Sequence, residues 1–176
     1  MQLSERLLLT SCKMNAYENV KGTEITKTNY TPEETVTAAL NYLKAADVNK
    51  FNQFVCYPTT TNGAAISAYN IMFSNDPDEE TVIFIGTIMS SLAYEIVDVQ
   101  EYDSHIIINA DIINKDLSDI DIISYADAGD PLLEAVLKSD TELVTTNIDI
   151  ELIQKDDIWK IVIDNDFKKA VCGGVF

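Results

Sequence analysis

The sequence predicts an α+β domain, with helices first and a curved antiparallel sheet after them. Three observations predict it. A helix-start signature, Thr31-Pro32-Glu33-Glu34, opens the ordered region. Runs of alternating apolar and polar residues fill much of the second half of the chain. The closing stretch, Thr141 to Phe176, reads as a strand, an acidic turn, a second strand with the single tryptophan, and a short helix ending in Gly-Gly. Helices and strands that segregate along the chain point to helices packed on one face of a sheet.

Each element follows from its residues. After the Thr31 cap, Val36, Leu40, Leu43 and Ala46 recur at helical spacing. Asp47 starts a second helix bearing Phe51, Phe54 and Val55. Pro58 to Asn62 breaks it, and Gly63 to Phe73 reads as a third helix through Ile66, Tyr69 and Phe73. Asn75 to Glu80 is a loop that caps a fourth helix, roughly Thr81 to Leu92, although Val82-Ile83-Phe84-Ile85 also suits a strand. Tyr94–Glu101 and His105–Asn114 form a hairpin about Tyr102-Asp103-Ser104. Asp116 to Asp130 is an acidic loop, and Pro131 to Lys138 a helix. In Thr146–Leu152, Ile148, Ile150 and Leu152 share one face while Asn147, Asp149 and Glu151 share the other. Lys155-Asp156-Asp157 turns the chain, and Trp159, Ile161 and Ile163 resume the alternation. Asp164-Asn165-Asp166 caps a last helix, in which Phe167 and Val171 share a face and which Gly173 terminates. The sheet expected from this order is a four-stranded antiparallel meander interrupted by one helix.

Composition narrows the function classes. The chain has 176 residues and is 47% hydrophobic, enough for one packed domain. Its net charge is −17, from 29 acids against 12 bases, and Phe51 to Asn114 contains neither Lys nor Arg. Such a surface repels phosphate backbones and anionic membranes, and attracts a cation or a basic protein.

Leu9-Thr10-Ser11-Cys12 resembles the lipobox of bacterial lipoproteins, in which the cysteine is diacylated. It follows Arg6 and a short apolar run, Leu7-Leu8-Leu9, which is briefer than a full secretory core. The expected division is therefore a truncated lipoprotein signal over residues 1–12, a tether over 13–29 and one α+β domain over 30–176. Cys56 and Cys172 would be able to pair outside the cytoplasm, but read more readily as buried small hydrophobes.

The Thr-Pro-Glu-Glu helix start, the alternating strands and Asp-Asp-Ile-Trp159-Lys160-Ile161 before an Asp/Asn-capped helix and Gly-Gly carry a resemblance. The chain looks like the cystatin-like fold of the nuclear-transport-factor-2-like superfamily. More narrowly, it resembles lipoproteins of Gram-positive bacteria with that fold. The resemblance implies a cone: a bent sheet around a long helix, often with a pocket at its open end and often a homodimer through the sheet. It places the chain, lipid-anchored, on the extracytoplasmic face of the cell membrane.

Candidate site residues are few. Phe51, Phe54, Tyr57, Tyr69, Met72, Phe73 and Met89 would line an apolar pocket or fill a core. His105, the single histidine, falls on the polar face at a strand start. The carboxylate-and-tyrosine chemistry of isomerases in the superfamily would draw on Asp98, Asp111 and Tyr94, of which the two acids alternate with apolar neighbours and should face solvent. Asp76–Glu80 and Asp116–Asp121 offer oxygen ligands without the spacing of a calcium loop. No phosphate-binding, hydrolase, zinc-protease or dinucleotide motif is present in the sequence, and no cofactor or metal is expected. The function expected is a membrane-tethered, non-enzymatic extracytoplasmic domain that binds a small apolar ligand or an envelope protein. The alternatives are an acidic inhibitor or immunity-type protein for a basic partner, and an isomerase- or dehydratase-like enzyme.

Overall fold

A computed structural model describes residues 29–57, 77–120 and 142–174. The described elements run α1 (Pro32–Lys44), α2 (Val48–Phe51), β1 (Val55–Cys56), α3 (Glu79–Met89), β2 (Ala93–Glu101), β3 (His105–Lys115), β4 (Leu143–Lys155), β5 (Ile158–Val162) and α4 (Asn165–Val171). The class is α+β. The expected helices at Gly63–Phe73 and Pro131–Lys138 lie outside the described residues.

Local chemistry sets the helix ends. Thr31 caps α1 through a complete capping box: its hydroxyl accepts from the Glu34 amide at 3.2 Å, and the Glu34 carboxylate accepts from the Thr31 amide at 2.9 Å. Asp47, Asp78 and Asp164 cap α2, α3 and α4 by accepting from the backbone three residues on. The cap at Asp78 settles the stretch Val82–Ile85 as helix, with Ile85 fully buried. Gly173 follows α4 at φ +62°, the left-handed position that ends many helices.

The sheet corrects the expected meander. It has five strands in the order β1-β5-β4-β3-β2. β2 to β5 are antiparallel neighbours as expected, but β1 joins the far edge and runs parallel to β5, with Val55 opposite Ile161 and Cys56 opposite Val162. Val55 was expected in the second helix; α2 stops at Phe51, and Phe54 and Cys56 give their carbonyls to the amides of Ile161 and Ile163. The β4–β5 turn places Asp156 at φ 52° and Asp157 at φ 63°. Two consecutive left-handed residues match the twist of a two-residue hairpin.

The inner face of the sheet carries Ile106, Ile108, Ala110 and Ile112 from β3, Ile148, Ile150 and Leu152 from β4, and Ile161 from β5. α1 packs against β5 and β3, and α4 against β3 and β4. Ile161 and Ile163 are buried in the inner wall, whereas Trp159, of the same alternating run, is only half-buried at its margin. Phe51 stacks on Phe167 at 6.5 Å, and Phe54 sits between Tyr30 at 5.1 Å and Tyr42 at 5.7 Å.

Candidate functional site

The core side of the sheet is filled by side chains. Phe51, Phe54 and Met89, three of the pocket candidates, are at most 1% exposed and belong to the continuous apolar core. Tyr57 is half-buried and donates to the Asn52 side-chain oxygen at 3.0 Å. Tyr69, Met72 and Phe73 lie outside the described residues. An open depression of about 370 Å³ is lined by Tyr30, Glu33, Glu34, Thr37, Ala38 and Asn41 on and beside α1. Beside it, the Tyr94 hydroxyl reaches the Thr37 carbonyl and the Asn41 side chain, both at 3.4 Å.

Among the described residues, the buried polar side chains are Thr35 and Asn114, and no carboxylate or histidine is buried. Asp98 and Asp111 face away from the core, as their alternation predicts, and Tyr94 lies on the opposite face. The three are not brought together. His105 stacks on Tyr102 at 4.7 Å and 9°, next to the Ser104 hydroxyl at 3.3 Å. The acidic loops have local duties. Asp78 is held below the usual carboxylate range by its hydrogen bonds from Thr81, and Asp116 by those from Ser118. No group of acids, histidines and cysteines able to hold a metal occurs among the described residues.

The outer face of the sheet is the feature the strand pairing creates. Register aligns Glu95, Asp111 and Asn147 in one row and Asp98, Asn109 and Asp149 in the next. Gln100, Ile107 and Glu151 form a third row. Asn109 and Asn147 exchange side-chain hydrogen bonds at 2.9 Å in both directions. Asn109 also donates to Asp149 at 2.8 Å, and Asn147 to Asp111 at 2.7 Å. On the β3–β4 side each of these aspartates sits opposite an amide, whereas on the β2 side Asp111 faces Glu95, a directly opposed pair of like charges. Sequence alternation showed which residues are polar on each strand; it did not show that the two polar stripes meet.

Lys160 departs from the surface pattern. Its ammonium donates to the Gln53 carbonyl, and burial pushes its pKa below the ordinary lysine value.

The cysteines diverge. Cys56 is disulfide-bonded, while Cys172 is a free thiol, fully buried, whose pKa burial pushes well up. These two therefore do not pair with each other, and Cys56 is more than a small hydrophobe. Cys12, the third cysteine of the chain, lies outside the described residues. No helix among the described residues is long and apolar enough to cross a membrane. Compared with protein-family models, with curated proteins and with solved structures, the chain matches none.

Proposed function

We propose that this chain is a non-enzymatic binding domain that works on the extracytoplasmic side of a bacterial membrane. The observation that carries the reading is the disulfide at Cys56, since such bonds persist in oxidising compartments and are rare in the cytosol. The strand order, with helices on one face of the sheet, is compatible with the cystatin-like, nuclear-transport-factor-2-like cone that the sequence resembles. Of the two ligand classes, a protein partner fits better than a small apolar molecule. Phe51, Phe54 and Met89 are consumed by core packing, which leaves an apolar ligand little of the proposed lining.

The lipid anchor at Cys12 belongs to the same reading. A cysteine that bonds Cys56 cannot also carry a lipid thioether, so these are alternative fates of one thiol. A second reading, an inhibitor or immunity-type protein that masks a basic partner, is favoured by the net charge of −17. The isomerase-like reading has no assembled acid–base site to support it among the described residues.

The test is fractionation of the source cells with immediate thiol alkylation, followed by mass mapping. The expected result is protein in the envelope fraction with Cys56 unreactive until a reductant is added. Cytosolic protein whose Cys56 alkylates directly overturns the proposal. Cys12→Ser in the same experiment separates the two fates. Loss of the envelope location marks an anchor, whereas a newly reactive Cys56 marks a disulfide partner.

A further inference from the structure

We infer that the outer face of the β2–β3–β4 sheet is a docking surface for a folded, basic protein. The inference rests on the binding-domain reading above and adds the surface and the chemistry of the partner.

Among the described residues the face is unpartnered, and it is not purely polar. The described helices that touch the sheet pack on its inner side, and no described element covers the other. Ile107 lies in the third row, Ile113 and Ile153 flank the rows on either side, all three are partly exposed, and Val97 at the β2 irregularity is 56% exposed. A face built only for solvation has no need of these four aliphatic side chains. Interfaces between proteins combine such apolar spots with polar groups around them.

The charge on the face has one sign. Glu95, Asp98, Asp111, Asp149 and Glu151 point outward, and none has an ion-pair partner among the described residues. The bases beside this face stand at its ends: Lys115 of β3 at one, Lys155 of β4 and Lys160 of the neighbouring β5 at the other. The amides of Asn109 and Asn147 engage one oxygen each of Asp149 and Asp111, which fixes these carboxylates and leaves acceptor capacity facing outward. Neighbours within a row lie about 5 Å apart and successive rows about 7 Å apart, so separate lysines or arginines on a rigid partner are the matching groups.

The occupant follows by elimination. Within the chain, residues 121–141 carry five acids and one base, and residues 58–76 carry Asp76 as their single charge. Residues 1–28 are near balance, with three acids and four bases. None supplies the missing positive charge in bulk. A second copy would set the same five carboxylates against themselves, with −17 on each chain, so the homodimer through the sheet that the resemblance implies is disfavoured at this face. Nucleic acids and anionic membranes are repelled for the same reason. A basic protein surface with its own apolar spots satisfies both the carboxylates and the isoleucines.

The experiment uses the full chain, labelled with nitrogen-15, and two probes at low ionic strength: cytochrome c as a folded basic protein, and decalysine as a flexible polycation. Expected are amide shifts confined to the outward residues of β2, β3 and β4, tighter binding to cytochrome c than to decalysine, and loss of both with added salt. The double change Asp111→Asn with Asp149→Asn should weaken binding about tenfold. Glu33→Gln with Glu79→Gln, equal in charge but placed on the helices, should leave it unchanged. Glu95→Gln with Glu151→Gln repeats the face test without touching the amide network, should the first pair perturb the fold. Equal weakening by face and helix variants overturns the inference, as do shifts spread over the helices, equal affinity for decalysine, no binding to either probe, or dimerisation through this face. These outcomes are independent of the fractionation result, so either reading can fail alone.

Discussion

The side-chain amide of Asn114 donates to the carbonyl of Val171 at 2.8 Å and to that of Ile88 at 3.2 Å. One residue near the end of β3 thus satisfies terminal carbonyls of both α3 and α4, groups that a helix leaves unpaired. Its own side-chain oxygen accepts from the Lys115 amide at 2.8 Å. Asn114→Ala strands two buried carbonyls, and the expected loss is about 2–4 kcal/mol in urea unfolding. Asn114→Asp should cost at least as much, since a carboxylate offers acceptors where donors are needed.

Thr35 is the counterpart. It is fully buried, and its hydroxyl has no hydrogen-bond partner. Thr35→Val keeps the shape and removes an unsatisfied polar atom. The expected outcome is a gain of about 1 kcal/mol, read as a higher midpoint with an unchanged denaturant slope.

A methyl group at Gly173 would lie 2.0 Å from the Lys115 carbonyl oxygen, and the residue sits at φ +62°. Its own carbonyl accepts from the Leu117 amide at 2.7 Å, tying the chain after α4 to the segment after β3. Gly173→Ala adds a backbone clash to a left-handed penalty, and should cost about 3 kcal/mol or more. Gly174→Ala, whose methyl would meet the Ser118 side chain at 3.1 Å, should cost less. Thermal unfolding of the two variants checks the order.

Lys160 gives a pH dependence with a definite sign. Burial lowers its folded pKa from 10.5, so at neutral pH the folded state carries a charge it holds less favourably than the unfolded chain does. Between the folded pKa and 10.5 the unfolded state binds the extra proton, and the Lys160 contribution to stability therefore rises with pH across that window. Lys160→Met should abolish this rise. Unfolding midpoints of both proteins measured toward pH 10.5 provide the comparison, and parallel curves would refute it.

Much of the fold was legible in local pattern, and the gaps have physical causes. Both bonds of the Thr31–Glu34 capping box, the strand phases of Ile106 to Ile112 and Ile148 to Leu152, and the stop at Gly173 are short-range consequences of residue type. β1 was missed because Phe51, Phe54 and Val55 continue a helical spacing on paper. What ends the helix is pairing with Ile161 and Ile163, more than a hundred residues away, which no local period can reveal. The outer face shows the same limit. Asn109 and Asn147 are each recognisable as outward polar residues, yet their reciprocal bonds depend on a register set across 38 positions of sequence. For Cys56 the sequence offered a disulfide but with Cys172, which is free, since the partner depends on which sulfur tertiary structure brings near.

The sheet's two margins also bear on how the chain behaves at high concentration. An edge strand with free amides and carbonyls is a template for another chain, and long flat edges seed fibrils. Here one margin is β1, two residues long, with too little backbone to seed a growing strand. The other is β2, whose even pairing is broken between Ile96 and Asp98 and whose flanks carry Glu95, Asp98 and Glu101. Thirteen-residue β4, the strand best suited by length to recruit a neighbour, pairs with β3 over Leu143–Ile153 but with β5 only over Leu152–Lys155. Among the described residues, the outermost strands thus meet incoming chains with a stub and a kinked, negatively charged border, and the open backbone of length is the Leu143–Glu151 run of β4.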